Sequence, residues 1–338
     1  MKKIVFREEW LASVSEEVIE PDRPIVDPHH HFFDTMEMFP SYDLEALWSD
    51  TSSHNVEQTV FIECMEHYRP GTSEELAVVG ETEWVAGIAA EAASAPAGRA
   101  RIGAIVGTAN LCLGEKVREV LEAHKEASPL FRGIRDAAIY DASEEIHTAE
   151  RATGPNLYGD AAFREGFAQL APLGLSFDGY HYHTQNHFYA DLARAFPETT
   201  MVLDHLGTPL GTGPYTGRRD EVFEVWKSGL ETLRDCSNVH MKLGGMAMPW
   251  SGFGFERGER PPTSDELVAA QERYYHTAID VFGPDRCMFE SNFPVDRLSI
   301  SYSVLWNAFK KIASRYGEEE KEALFRGTAM RVYGLTAV

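Results

Sequence analysis

The chain has 338 residues, of which 43% are hydrophobic and 25% charged, so neither wholesale disorder nor a fibrous architecture fits. Lys and Arg number 31 against 53 Asp and Glu, a net charge of −22. That balance repels phosphate backbones and anionic lipid, and no local basic patch offsets it, which excludes nucleic-acid and membrane-surface partners from the expectations.

The N-terminal stretch MKKIVFREEWLASVSEE has no apolar run of signal-peptide or membrane-spanning type. Cys64, Cys112, Cys236 and Cys287 are widely spaced, with no CxxC pair, so reduced thiols and a cytoplasmic setting are expected. No repeat or long polar linker divides the sequence, and residues 1–338 read as one domain.

Short β-rich runs alternate with helix-like stretches, the pattern of parallel strands joined by helical crossovers. The strands are expected at Ile25–His31, Thr59–Cys64, Arg101–Gly107, Phe131–Asp136, Gly174–Phe177, Thr200–His205, Val239–Gly244 and Cys287–Ser291. Helices are expected at Ser73–Glu91, Tyr189–Phe196 and Ser264–Phe282. Eight strands with intervening helices in a chain of this length give an α/β fold, a (β/α)8 TIM-like barrel, with a doubly wound open sheet as the alternative. No strand is followed by a glycine-rich phosphate loop, which argues against the alternative.

Two connections are long and rich in Gly and Pro: Leu206–Asp220 after the sixth strand and Gly245–Pro262 after the seventh. Trp250, Phe253 and Phe255 in the second suggest a lid over a site, since three exposed aromatics so close together would be costly.

The strongest chemical signal is Asp27-Pro28-His29-His30-His31 at the end of the first strand. Period-2 alternation would put Asp27, His29 and His31 on one face and His30 on the other, so two imidazoles could chelate one divalent metal. A histidine run that only caps the strand is the bland alternative. His181 and His183 follow the fifth strand and His205 closes the sixth, so the histidines would converge only on the common rim of a barrel. Glu290 in the eighth strand and Glu63 in the second are carboxylates that a barrel interior tolerates only when paired or functional. On the eighth strand, Met288, Glu290 and Asn292 would share a face. Arg135 and Lys242 could balance these acids or grip a substrate carboxylate.

In this order, VDPHHHFFD, FRGIRD, HYHTQ, MVLDHLGTP, VHMKLGG and DRCMFESNFPVD resemble the amidohydrolase superfamily, in the branch that holds sugar-lactone lactonases and 2-pyrone-4,6-dicarboxylate lactonase. The resemblance implies a (β/α)8 hydrolase that opens a lactone or related cyclic ester by water attack. It implies His29, His31 and His183 as ligands of one divalent metal, zinc or manganese, or a metal-free site built from the same histidines and Arg135. His205 would polarise the carbonyl or shuttle a proton. The chain departs from the family at the eighth strand, where Glu290-Ser291-Asn292 stands for the usual Gly-Ser-Asp. Glu290 or Asp296 would then supply the acid-base group in place of Asn292. Glu63, Arg69, Tyr180, Lys242 and Trp250 are the expected substrate contacts, for a small molecule bulkier and less polar than a bare sugar lactone. A metal-dependent decarboxylase and a barrel that only binds are the alternatives, and a homodimer would be the commonest assembly.

Overall fold

The computed structural model describes residues 4–36 and 38–337. Eight parallel strands run in sequential order: β1 (Ile25–His30), β2 (Val56–Ile62), β3 (Arg101–Gly107), β4 (Phe131–Ala137), β5 (Ser176–Tyr180), β6 (Met201–Leu203), β7 (Val239–Leu243) and β8 (Cys287–Phe289). Between and after them lie α1 (Leu44–Thr51), α2 (Val79–Ser94), α3 (Val117–Ala127), α4 (Ala161–Phe167), α5 (Asn186–Ala195), α6 (Arg219–Glu231), α7 (Ser264–Phe282) and α8 (Tyr302–Ala313). The expected barrel is therefore the observed architecture, and the open doubly wound sheet is excluded. Its last seam is closed just beyond β8. Asn292 N–H donates to His29 O at 3.0 Å and His31 N–H to Phe293 O at 2.8 Å, with a parallel bridge between His30 and Phe293.

Strand ends agree with the sequence expectation to within three residues, and β3 falls on it at both ends. β6 and β8 are the shortest, because the chain leaves strand geometry to deliver side chains to the site. His205, Leu206, Gly207 and Thr208 all take positive φ directly after β6, and Asn292 does so after β8. The stretch expected as one helix from Ser73 is broken, with a short turn of helix at Glu74–Ala77 ahead of α2.

The interior splits into two layers of apolar packing. Val26, Val60, Ile62, Ala104, Val106, Val202 and Met288 fill the barrel, while a larger shell between sheet and helices holds residues such as Phe61, Phe177, Trp226, Phe289 and Trp306. The C-terminal segment plugs the end where the strands begin: Tyr333 and Leu335 join the barrel cluster, and Gln58 Nε2 donates to Thr336 O at 2.9 Å. Among the described residues no helix is long and apolar enough to cross a membrane.

Buried histidines also serve the frame. His124 on α3 stacks on Phe131 and lies 2.8 Å from Thr82 Oγ1 and 2.9 Å from Thr108 O. The carbonyl can only accept, so Nε2 carries the proton and Nδ1 accepts from the threonine. Burial pushes its pKa from 6.5 down to about 4. The unfolded chain therefore binds a proton that the folded chain refuses, and stability from this group rises with pH between about 4 and 6.5. In His124→Gln the gain in unfolding free energy between pH 5 and pH 7, read by urea titration, should shrink by about 2 kcal/mol.

Candidate active site

The site lies where the strands end, as barrel enzymes place it. Its floor is an ionic layer that sequence reasoning reached only through Lys242. Lys242 Nζ on β7 lies 2.7 Å from Asp178 Oδ2 on β5 and 3.0 Å from Asp204 Oδ1 after β6, with all three side chains buried. Tyr333 reaches up from the plug and donates to Asp178 Oδ2 at 2.6 Å. Lys242 also sits 3.2 Å from His29 Nδ1. It is thus a buried structural cation with no face free for substrate, a correction of its expected role.

Above the floor, Glu290 holds two histidines. Its Oε2 is 2.8 Å from His29 Nδ1 and its Oε1 is 2.8 Å from His205 Nδ1, and Oε1 also accepts the His205 backbone N–H at 3.1 Å. These contacts hold its carboxyl well below the ordinary range in spite of complete burial. Two adjacent glycines make room for the arrangement. A Cβ at Gly244 would lie 2.2 Å from Glu290 O, and one at Gly245, where φ is +67°, would lie 2.4 Å from His205 Nδ1.

A tautomer argument follows. His31 Nδ1 lies 2.8 Å from Ile62 O, which can only accept, so Nδ1 is protonated and Nε2 keeps its lone pair. Glu290 Oε1 fixes Nδ1–H of His205 in the same way. His29 Nε2 lies 3.2 Å from the unprotonated Nε2 of His31, and the His29 and His205 ring centroids are 4.5 Å apart. Burial pushes His29 and His31 well below the usual histidine range, so both are neutral.

The expected first-strand alternation holds only in part. A register shift between Asp27 and His30 interrupts it, so His29 and His31 face the site while Asp27 turns to the β1–β8 seam. There Asp27 accepts from Ser291 N–H and Tyr302 OH, both at 3.0 Å. His30 packs against Phe32 and Phe61, on the other face as expected. On the eighth strand Met288 and Glu290 point inward, but Asn292 instead donates Nδ2–H to Asp296 Oδ1 at 3.0 Å. Asp296 also accepts from Ala247 N–H, and burial pushes its pKa up to about 7.

Of the expected metal set, the structure brings His29 and His31 together and leaves His183 apart. His183 lies on the turn after β5, against Tyr215 and 3.5 Å from Leu210 N. The donor atoms that do converge, within 4.8 Å of one another, belong to His29, Asp204 and His205. Asp204 Oδ1 is ion-paired with Lys242, while its Oδ2 has no hydrogen-bond partner. Asp204 has no local pattern that sets it apart from the histidine beside it; its one sequence signal is its place at the end of a β-rich run. Arg69 is also misplaced by sequence reasoning, since its guanidinium pairs with Glu83 on the surface.

The rim is aromatic. Tyr180 meets His205 edge to face at 5.3 Å, and Trp250 packs in one cluster with Tyr180, Leu210 and Tyr215. The two long loops are tied together by Gly211 N–H to Trp250 O at 2.9 Å. Phe253 and Phe255 do not join the lid: they stack on each other, and Phe253 packs on Tyr274 of α7, anchoring the loop from behind. Arg135 and Glu63 form an ion pair on the wall, Arg135 Nε donating to Glu63 Oε1 at 2.8 Å.

Comparison with known proteins settles the family. Residues 26–335 match the family model described as Amidohydrolase. The chain belongs to the amidohydrolase family, and it is a hydrolase. An uncharacterised protein of Sinorhizobium fredii, y4mH, is 31% identical over 336 residues, covering 92% of this chain and 99% of that protein. An L-fucono-1,5-lactonase of Burkholderia multivorans is 33% identical over 136 residues, 40% of this chain and 43% of the relative. Among solved structures, an amidohydrolase from Burkholderia multivorans with bound zinc shares the fold, with a TM-score of 0.72, 24% identity, and coverage of 93% of this chain and 100% of that one.

The crowding at Gly245 gives a direct test of the site's construction. Gly245→Ala should lower kcat at least about hundredfold, the scale lost when a catalytic proton-transfer group is displaced, with far-UV circular dichroism unchanged.

Proposed function

We propose that this hydrolase opens a lactone or related cyclic ester of a small, largely apolar molecule. The observation that carries the reading is the convergence of His29, His31 and His205 with Asp204 beneath an aromatic rim, the His31 Nδ1 held by Ile62 O and the His205 Nδ1 by Glu290. The likeness over 136 residues to a protein named L-fucono-1,5-lactonase supports the ester chemistry.

The residues present also fit a divalent metal. Four formally charged carboxylates, Glu63, Asp178, Asp204 and Glu290, face only two fixed cations, Arg135 and Lys242, in a buried region where His29 and His31 are neutral. A buried excess of two negative charges is costly without a compensating charge. His29 and His205 with the free Oδ2 of Asp204 would hold the ion, joined by His31, whose Nε2 lies 3.2 Å from His29 Nε2, with zinc or manganese suited to imidazole and carboxylate donors. Bound there, it would polarise the ester carbonyl and acidify a water.

The chain's own residues divide the remaining work. Glu290 stays ionised between His205 and His29, which makes it an orienting group and leaves proton transfer to Asp296. With its pKa pushed up to about 7, Asp296 accepts a proton from the attacking water and returns it to the ring oxygen as the carbonyl C–O bond breaks. Asn292 holds Asp296 through Nδ2–H, so the residue that replaces the family's aspartate positions its substitute. Tyr180 and Trp250 supply an apolar wall that excludes water from the carbonyl.

Two outcomes are expected. Wild-type kcat/KM on dihydrocoumarin should rise with pH to a plateau above about 7, whereas Asp296→Asn should lose at least about hundredfold in activity and the pH dependence with it; activity within tenfold of wild type would remove Asp296 from the mechanism. Elemental mass spectrometry of untagged protein should find about one zinc or manganese per chain, as a single four-donor site holds one ion, and His29→Ala/His31→Ala should abolish it.

A further inference from the structure

The proposed lactonase reading leaves the charge of the substrate open, and the wall of the site addresses it. Arg135 sits at the end of β4 beside Tyr180, where a substrate carboxylate would dock. That position is already filled. Glu63 at the end of β2 accepts Arg135 Nε–H through Oε1 at 2.8 Å, and its main-chain oxygen accepts from Arg135 Nη2. Both side chains are 11% exposed, so the pair forms part of the lining instead of lying deep in the core. Glu63 is itself held in place from behind: Glu81 Oε1 accepts the backbone N–H of Cys64 at 2.9 Å and of Glu66 at 2.8 Å, which pins the turn after β2. Lys242 is committed to Asp178 and Asp204, and Arg151, next outward, is paired with Asp136 at 2.6 Å.

Building on the lactonase reading, we propose that Glu63 is a specificity-determining residue, an internal carboxylate that occupies Arg135 and restricts the site to uncharged lactones. A carboxylate-bearing substrate would meet a neutralised arginine flanked by Glu63 and, behind it, the acidic floor, and would be desolvated without a partner. The main-chain contact from Glu63 O keeps Arg135 anchored when the side chain is altered, so removing the acid should expose a correctly placed guanidinium.

The test uses dihydrocoumarin and a ring-carboxylated dihydrocoumarin of matched size. Binding is measured by calorimetry in an Asp296→Asn background, where proton transfer is removed, and kcat/KM is measured with Asp296 intact. With Glu63 present, the neutral lactone should bind at least tenfold more tightly than the acid. In Glu63→Ala the ratio should fall at least tenfold through tighter binding of the acid, and Glu63→Gln, which keeps a hydrogen-bond acceptor, guards against a folding artefact and should shift it the same way. Equal binding of the two lactones with Glu63 present, failure of both variants to gain affinity for the acid, or no binding of the neutral lactone overturns the proposal. Neutral-selective binding without turnover of either lactone would instead overturn the lactonase reading and leave the role of Glu63 standing.

Discussion

The site depends on one buried carboxylate lodged between two imidazoles. Glu290 Oε1 takes Nδ1–H and the backbone N–H of His205, and its Oε2 lies 2.8 Å from His29 Nδ1, so it ties β1, β6 and β8 together at the candidate site. Isolated, such a charge in a barrel would be prohibitively costly; with directed donors from His205, it becomes the piece that sets that residue's tautomer. The backbone around it is bent to serve that purpose. Three non-glycine residues after β6, His205, Leu206 and Thr208, take positive φ, a conformation that is retained only where surrounding contacts impose it. Here those contacts are Glu290 at one end and the Trp226 indole N–H on the Leu206 carbonyl at the other.

The sequence was legible where a single local rule decided the outcome. Alternating apolar runs marked all eight strands, and β3 and α7 fell on their expected residues because apolar patterning and capping agreed, as with the capping box of Thr263 and Glu266. The two first-strand histidines were legible for the same reason. What escaped were features set by long-range partners. Asp27 left its expected face because a bulge beside Pro28 inserts one residue into the ladder. Asp178 and Asp204 looked like ordinary strand-end acids, and only folding shows that they share one lysine contributed by β7. His183 looked equivalent to its neighbours in residue type and strand position, yet the turn after β5 carries it toward Leu210 and Tyr215. Arg69 and Arg135 are the same residue type near strand ends; partners alone separate a surface ion pair from a site wall.

The departure from the family's last-strand pattern also reads differently in three dimensions. Two changes occur together, an acid where glycine is usual and an amide where the acid is usual. The acid at Glu290 adds an anchor for two imidazoles, and the amide at Asn292 becomes a donor to Asp296, four residues on. Negative charge is therefore moved within the site instead of being lost, and the paired glycines Gly244 and Gly245 provide the space that the larger side chain requires. A hydrolase built in this way keeps its polar centre under an apolar rim, with Trp250 and Tyr180 on one side and the stacked Phe253 and Phe255 fixing the loop to α7 on the other.

The plug at the base of the barrel has a consequence for the order of assembly. Tyr333 follows all eight strands in the chain, yet its hydroxyl donates to Asp178 Oδ2, which in turn holds Lys242 and, through it, Asp204 and His29. During synthesis every strand has left the ribosome before this residue does. The nascent barrel must therefore wait with an unfinished ionic floor, and a segment made after all eight strands is the one that supplies its last donor. That segment and the candidate site lie toward opposite ends of the barrel, joined through Asp178 and Lys242, so the floor is set from the bottom upward.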